Sequence, residues 1–153
     1  VLGGKNMNFI VKDVEQFQAQ KQFIDTAIVP LVHLDFSDQG MKQSSSASEY
    51  LMTLTNFIEQ QFKGRLLLFP PFSYTMGSKS DTMPATLEKE LKEAGFKAVV
   101  FITCDHSWTE YKEYLNIIWL PAIPLESMDQ TVKQRILEDQ LKQVISTFTK
   151  IWI

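Results

Sequence analysis

The chain has 153 residues, 44% of them hydrophobic and 22% charged, with a net charge of -3. That length supports one hydrophobic core, and the acidic balance without any lysine–arginine cluster excludes the basic face a nucleic-acid partner needs. A single cysteine, Cys104, excludes an internal disulfide and a multi-cysteine zinc site.

No stretch approaches ~18 consecutive apolar residues, so membrane insertion is not expected. The segment Val1–Asn6 lacks an apolar core of signal-peptide length, and a cytoplasmic location is the expectation. Met7 is a candidate start, with residues 1–6 a cloning remnant or a disordered extension and residues 7–153 one α/β domain.

In chain order, Val14, Phe17 and Ile24 fall at helical spacing over residues 13–24, with Asp13 as the candidate N-cap. Thr26–Val32 reads as a strand apolar on both faces, which Pro30 places at an edge or breaks. A polar loop runs from His33 to Ser45. Ser46 and Glu49 have capping-box spacing, and Leu51, Leu54, Phe57, Ile58 and Phe62 then form one helical stripe stopped by Gly64. Arg65–Phe69 is a second strand closed by Pro70 and Pro71, and the Ser/Thr/Gly-rich residues 72–82 read as a loop.

Pro84 suits the first turn of a helix whose inner face is Leu87, Leu91 and Ala94, with Gly95 as its stop. The β-branched and aromatic run Ala98–Ile102 is a third, buried strand. A short polar-aromatic segment, 107–115, is a candidate helix. Asn116–Leu120 is a fourth strand closed by Pro121 and Pro124. Ser127 and Gln130 make a second capping pair before a helix over about 128–150, with Leu137, Leu141, Val144, Phe148 and Trp152 as its seam.

Strands alternating with single helices predict a three-layer α/β sandwich: a mostly parallel sheet of about four strands flanked by helices. In such a sheet, ligands bind at the carboxyl ends of the strands. The side chains expected at that rim are His33, Asp35 and Asp38 after the first strand and Ser73 and Tyr74 after the second. Asp105, His106 and Trp108 follow the third strand, and Glu126 follows the fourth.

His33, Asp35 and His106 offer imidazole and carboxylate ligands suited to zinc or manganese if they converge. Cys104 reads as a small apolar residue at a strand end, the alternative being a nucleophilic thiol beside His106, which a turn there would separate from it. Gly77–Ser80 lacks the order of a phosphate-binding loop, and no serine sits in a G-x-S-x-G elbow. The terminal Ile151–Ile153 is expected to dock on the core, the alternative being a homodimer contact.

Three segments carry a resemblance: F-I-D-T-A-I-V-P-L-V from Phe23, E-x-Q-F-K-G-R-L-L-L-F-P from Glu59, and I-W-L-P-A-I-P-L-E from Ile118. Together they resemble the YpiF-like family of Bacillus-type bacteria over residues 7–152, which implies a domain without an assigned activity. Leu66–Tyr74, Pro84–Thr86 and Gly95–Lys97 are similar in order to creatininase-type amidohydrolases, which are layered α/β enzymes with two metal ions. That family's N-G-H-G-G-N stretch falls on Thr103–Trp108, where only His106 matches. Its E-x-H-G-x-H motif falls on His33–Asp38, where the order is H-L-D-F-S-D.

The resulting expectation is a non-catalytic module that binds a small molecule or protein at the strand-end rim, with no resident cofactor. The first alternative is a hydrolase of small amide C–N bonds. It would use zinc or manganese on His33, Asp35 and His106, with Asp105 activating the metal-bound water. The second is an assembly factor acting through the C-terminal helix.

Overall fold

The computed structural model describes residues 7–153, so the reading of residues 1–6 lies outside the described residues. The elements run α1 (Val11–Ala19), β1 (Thr26–His33), α2 (Met41–Gln61), β2 (Leu66–Leu68), β3 (Phe72–Tyr74), α3 (Met83–Glu93), β4 (Ala98–Thr103), β5 (Asn116–Trp119) and α4 (Gln130–Trp152). A 3-10 helix, His106–Tyr111, joins β4 to β5, and a 3-10 turn, Leu125–Ser127, precedes α4. No helix of the described residues is long and apolar enough to cross a membrane.

Among the described residues every strand pairing is parallel, in the order β2-β1-β4-β5, with β3 beside the far end of β1. β2 and β3 are two halves of one edge: β2 pairs with Thr26–Ile28 and β3 with Leu31–His33. The described residues therefore form a five-stranded sheet, and part of the expected loop after Pro71 is strand. β1 is interior, not an edge, and it tolerates Pro30 for a local reason. The Ile28 carbonyl accepts from Phe69 N–H (2.9 Å), so by strand alternation the Pro30 nitrogen faces the same side. There Pro70 and Pro71 interrupt the edge and no ladder bond is lost.

The two faces of the sheet bury separate cores, as expected for a sheet covered on both sides. Ile28, Val32, Val100 and Ile102 pack with Tyr50, Leu54 and Ile58 of α2 and Val144 and Phe148 of α4. Val29, Leu31, Val99 and Phe101 pack against Phe17 of α1, Leu91 of α3, Phe96 and Trp108. This is the three-layer α/β architecture.

Several helix starts differ from expectation. α1 begins at Val11, which puts Asp13 inside its first turn, and Ile24 is buried in the turn beyond the helix. α2 begins at Met41; Ser46 lies within it and donates to Glu126 Oε1 (2.8 Å) instead of capping. α4 is capped by Asp129, which accepts from Val132 N–H (2.9 Å), while Ser127 donates to the Pro124 carbonyl.

The expected docking of the C-terminal tail is seen for Trp152. Its indole N–H donates to Thr26 Oγ1 (2.8 Å), and its ring stacks on Phe148 and meets Phe62 edge-on. Ile153 remains exposed.

Two buried carboxylates hold the start of the described chain. Met7 N–H donates to Glu59 Oε2 and Asn8 N–H to Asp13 Oδ2, both at 2.8 Å, while the Met7 carbonyl accepts from Leu68. Glu59 Oε1 has no hydrogen-bond partner among the described residues. Burial pushes the Glu59 carboxyl above its ordinary value of 4.5, with Asp13 adding to the shift, against Met7 N–H and Lys63. The native state therefore binds this proton more tightly than the unfolded chain does. Stability attributable to Glu59 is greatest below about pH 4.5 and falls as pH rises towards its folded value. Denaturant titrations across this range are expected to show that decline in the wild type and its flattening in Glu59→Gln. Parallel profiles would contradict it.

Candidate functional site

The site follows from topology. β1 leads through α2 to β2 and β3 on one side, and the chain then returns through α3 to β4 on the other. The carboxyl ends of β1 and β4 are adjacent, but their exits leave over opposite faces of the sheet. This is the reversal in strand order at which doubly wound sheets open a crevice. A crevice of about 460 Å³ lies there, floored by Leu31, Val32 and Cys104 and walled by the first turns of α2.

Of the nine rim residues expected from the sequence, His33, Asp35, Asp105 and His106 line this crevice. Tyr74 and Trp108 stand behind Asp105. Asp38, Ser73 and Glu126 lie outside it: Asp38 and Ser73 are exposed, and Glu126 is drawn away to Ser46. Gly40, Gln43, Ser44, Ala47 and Ser48 line it without having been expected. Asp35-x-Ser37 was a legible signal, since aspartate often bonds the backbone two residues on.

Asp35 is held at the amino terminus of α2. Its Oδ1 accepts from Ser37 N–H (2.9 Å), and its Oδ2 packs so tightly against Gly40 that a Cβ there would fall 1.9 Å from it. The Ser44 hydroxyl accepts from Asp35 N–H and donates to the His33 carbonyl, both at 3.0 Å, stitching the β1 exit to α2. The Ser37 backbone and hydroxyl hold the Asp35 carboxyl below its ordinary value against the effect of burial, helped by His33. The positive end of the α2 dipole acts in the same sense.

Asp105 caps the 3-10 helix. Its Oδ1 accepts from Ser107 N–H (3.0 Å) and Ser107 O–H (2.8 Å), and its Oδ2 accepts from Tyr74 O–H (2.6 Å). Tyr74 in turn accepts from the Trp108 indole N–H. Lys79 closes the outside, donating to Ser107 Oγ (2.7 Å) with its ammonium 4.3 Å from the centre of the Trp108 ring. Burial pushes the Asp105 carboxyl up, but Tyr74, Ser107 and Lys79 outweigh it and hold the pKa below the ordinary value.

The two imidazoles rest against aromatic rings. His33 stacks on Tyr74 with centroids 5.8 Å apart, and His106 meets Trp119 edge-on at 4.9 Å. The Cys104 thiol is pushed up to about 12 by burial, so it stays protonated at neutral pH and is not a thiolate nucleophile. Among the described residues no three His, Cys, Asp or Glu side chains form a group that could hold a metal ion. His33, Asp35 and His106, the trio expected under the hydrolase alternative, thus do not assemble as a ligand set.

Fold and crevice together define a doubly wound, parallel α/β protein with a polar pocket at its strand-order reversal. The chain belongs to the family described as protein of unknown function (DUF2487), whose model matches residues 15–152. It is 27% identical over 151 residues to the uncharacterized protein YpiF of Bacillus subtilis (strain 168), covering 95% of this chain and 98% of that one. No solved structure matches the chain significantly.

Proposed function

We propose that this protein is a non-catalytic binding module, acting as one cytoplasmic α/β unit, whose strand-end crevice takes a small polar molecule rich in hydrogen-bond donors or carrying positive charge. The observation that carries this reading is the crevice itself: Asp35 and Asp105 line it, and no lysine or arginine does among the described residues. With both carboxyl pKa values held low, the cavity presents two negative charges at neutral pH. Asp105 accepts protein donors on both oxygens, which suits a fixed electrostatic wall better than a proton-transferring base. A volume of about 460 Å³ is within the range of small-molecule pockets.

The test is a fragment screen on the isotope-labelled protein, including aliphatic amines and guanidines, read by amide chemical shifts. Perturbations are expected at Val32–Asp35, Gly40–Ser48 and Cys104–His106. Gly40→Ala is expected to weaken them while leaving α2 intact, because the added methyl displaces the Asp35 carboxylate from its place beside the helix start. Amine or guanidine shifts that map elsewhere, or that survive Gly40→Ala unchanged, would overturn the assignment.

A further inference from the structure

The opposite end of the sheet carries a second cavity, of about 500 Å³, with a different chemistry. Asp25, Arg65, Lys97, Asn116 and Trp152 line it at the amino-terminal ends of the strands. Its distinguishing feature is an arginine held by everything except the end of its own fork. Arg65 Nε donates to Asp25 Oδ1 (3.2 Å), and its guanidinium carbon lies 4.0 Å from the centre of the Trp152 ring. The same Asp25 oxygen accepts from Thr26 O–H (2.9 Å), and Thr26 Oγ1 accepts from the Trp152 indole N–H (2.8 Å). The four side chains therefore form a closed ring that orients the guanidinium plane.

Only Nε is engaged. Neither terminal nitrogen of Arg65 makes a side-chain hydrogen bond or ion pair among the described residues, and the exposed Lys97 ammonium makes none either. Asp25 is already bonded twice, and the charged side chains of the lining, Asp25, Arg65 and Lys97, sum to one net positive charge, with the main-chain end at Ile153 beside them. A pre-oriented guanidinium with its two terminal nitrogens free matches the paired oxygens of a carboxylate or phosphate, and it loses little side-chain entropy on binding.

We propose that this cleft is a second binding site, for a ligand bearing an oxyanion group, which bridges the terminal nitrogens of Arg65 and the Lys97 ammonium. This inference does not depend on the reading of the strand-end crevice.

The experiment uses the full chain, isotope-labelled, titrated separately with inorganic phosphate and with acetate against chloride at matched ionic strength. The Arg65 Nε–H and Trp152 indole signals are expected to move saturably with phosphate or acetate and not with chloride. Preference for phosphate would identify a phosphate ester as the ligand class, and preference for acetate a carboxylic acid. Lys97→Gln, which leaves the ring untouched, is expected to weaken binding about tenfold, as for loss of one charge-assisted hydrogen bond. Arg65→Lys keeps the charge and removes the fork, and is expected to weaken it at least as much. Shifts that track chloride, or that survive Lys97→Gln unchanged, would reject the site, and both results are readable even if Arg65→Lys loosens the Trp152 contact.

Discussion

Trp108→Ala is expected to lower folding stability by about 3–5 kcal/mol, the usual cost of emptying a buried tryptophan site. The ring is 0% exposed and packs edge-on to Tyr74 and tilted against Tyr111. Its indole N–H is the donor to Tyr74, which in turn donates to Asp105, so the truncation removes both a core side chain and the back wall of the candidate site. For a chain of this size the thermal midpoint should fall by roughly 10 °C or more. Trp108→Phe separates the two contributions: it keeps most of the packing, loses the donor, and should cost about 1–3 kcal/mol. Calorimetry of both variants checks the ordering, and a Trp108→Ala loss under about 1 kcal/mol would contradict the burial argument.

Trp152→Ala should cost about 2–4 kcal/mol, somewhat less because this ring is only partly buried. It ties the end of α4 to the start of β1 through Thr26, to α4 itself through Phe148, and to the turn after α2 through Phe62 and Arg65. Trp152→Phe should recover part of the loss, since it restores ring packing but not the indole hydrogen bond. Denaturant unfolding together with sedimentation would separate this from a role in self-association. Unchanged unfolding with loss of a dimer would favour the assembly reading of the C-terminal helix; reduced stability with unchanged mass would favour internal docking.

Much of the fold was legible because its signals are local. Thr26–Val32 and Ala98–Ile102 are apolar at every position or nearly so, which only a strand covered on both faces requires. Gly64 and Gly95 mark helix ends, with φ of 85° and 119° in the left-handed region. The start of α2 was not legible, and the reason is positional. Its first turns extend past the sheet to wall the crevice, so they bury no apolar face and read as a polar loop. For the same reason the wall residues Gly40, Gln43 and Ser44 carried no periodic signal.

The sequence by itself determined the class of fold and the strand ends on which His33, Asp35, Asp105 and His106 sit, because hydrophobic runs and their turn residues act within a few positions of one another. Tertiary structure alone decided that β4 inserts beside β1, that Pro30 lies opposite an interrupted edge, and that Glu126 turns to Ser46 and away from the crevice. These outcomes join residues as many as 80 positions apart. Packing across the sheet sets them, and no local pattern encodes which distant partner a side chain will meet.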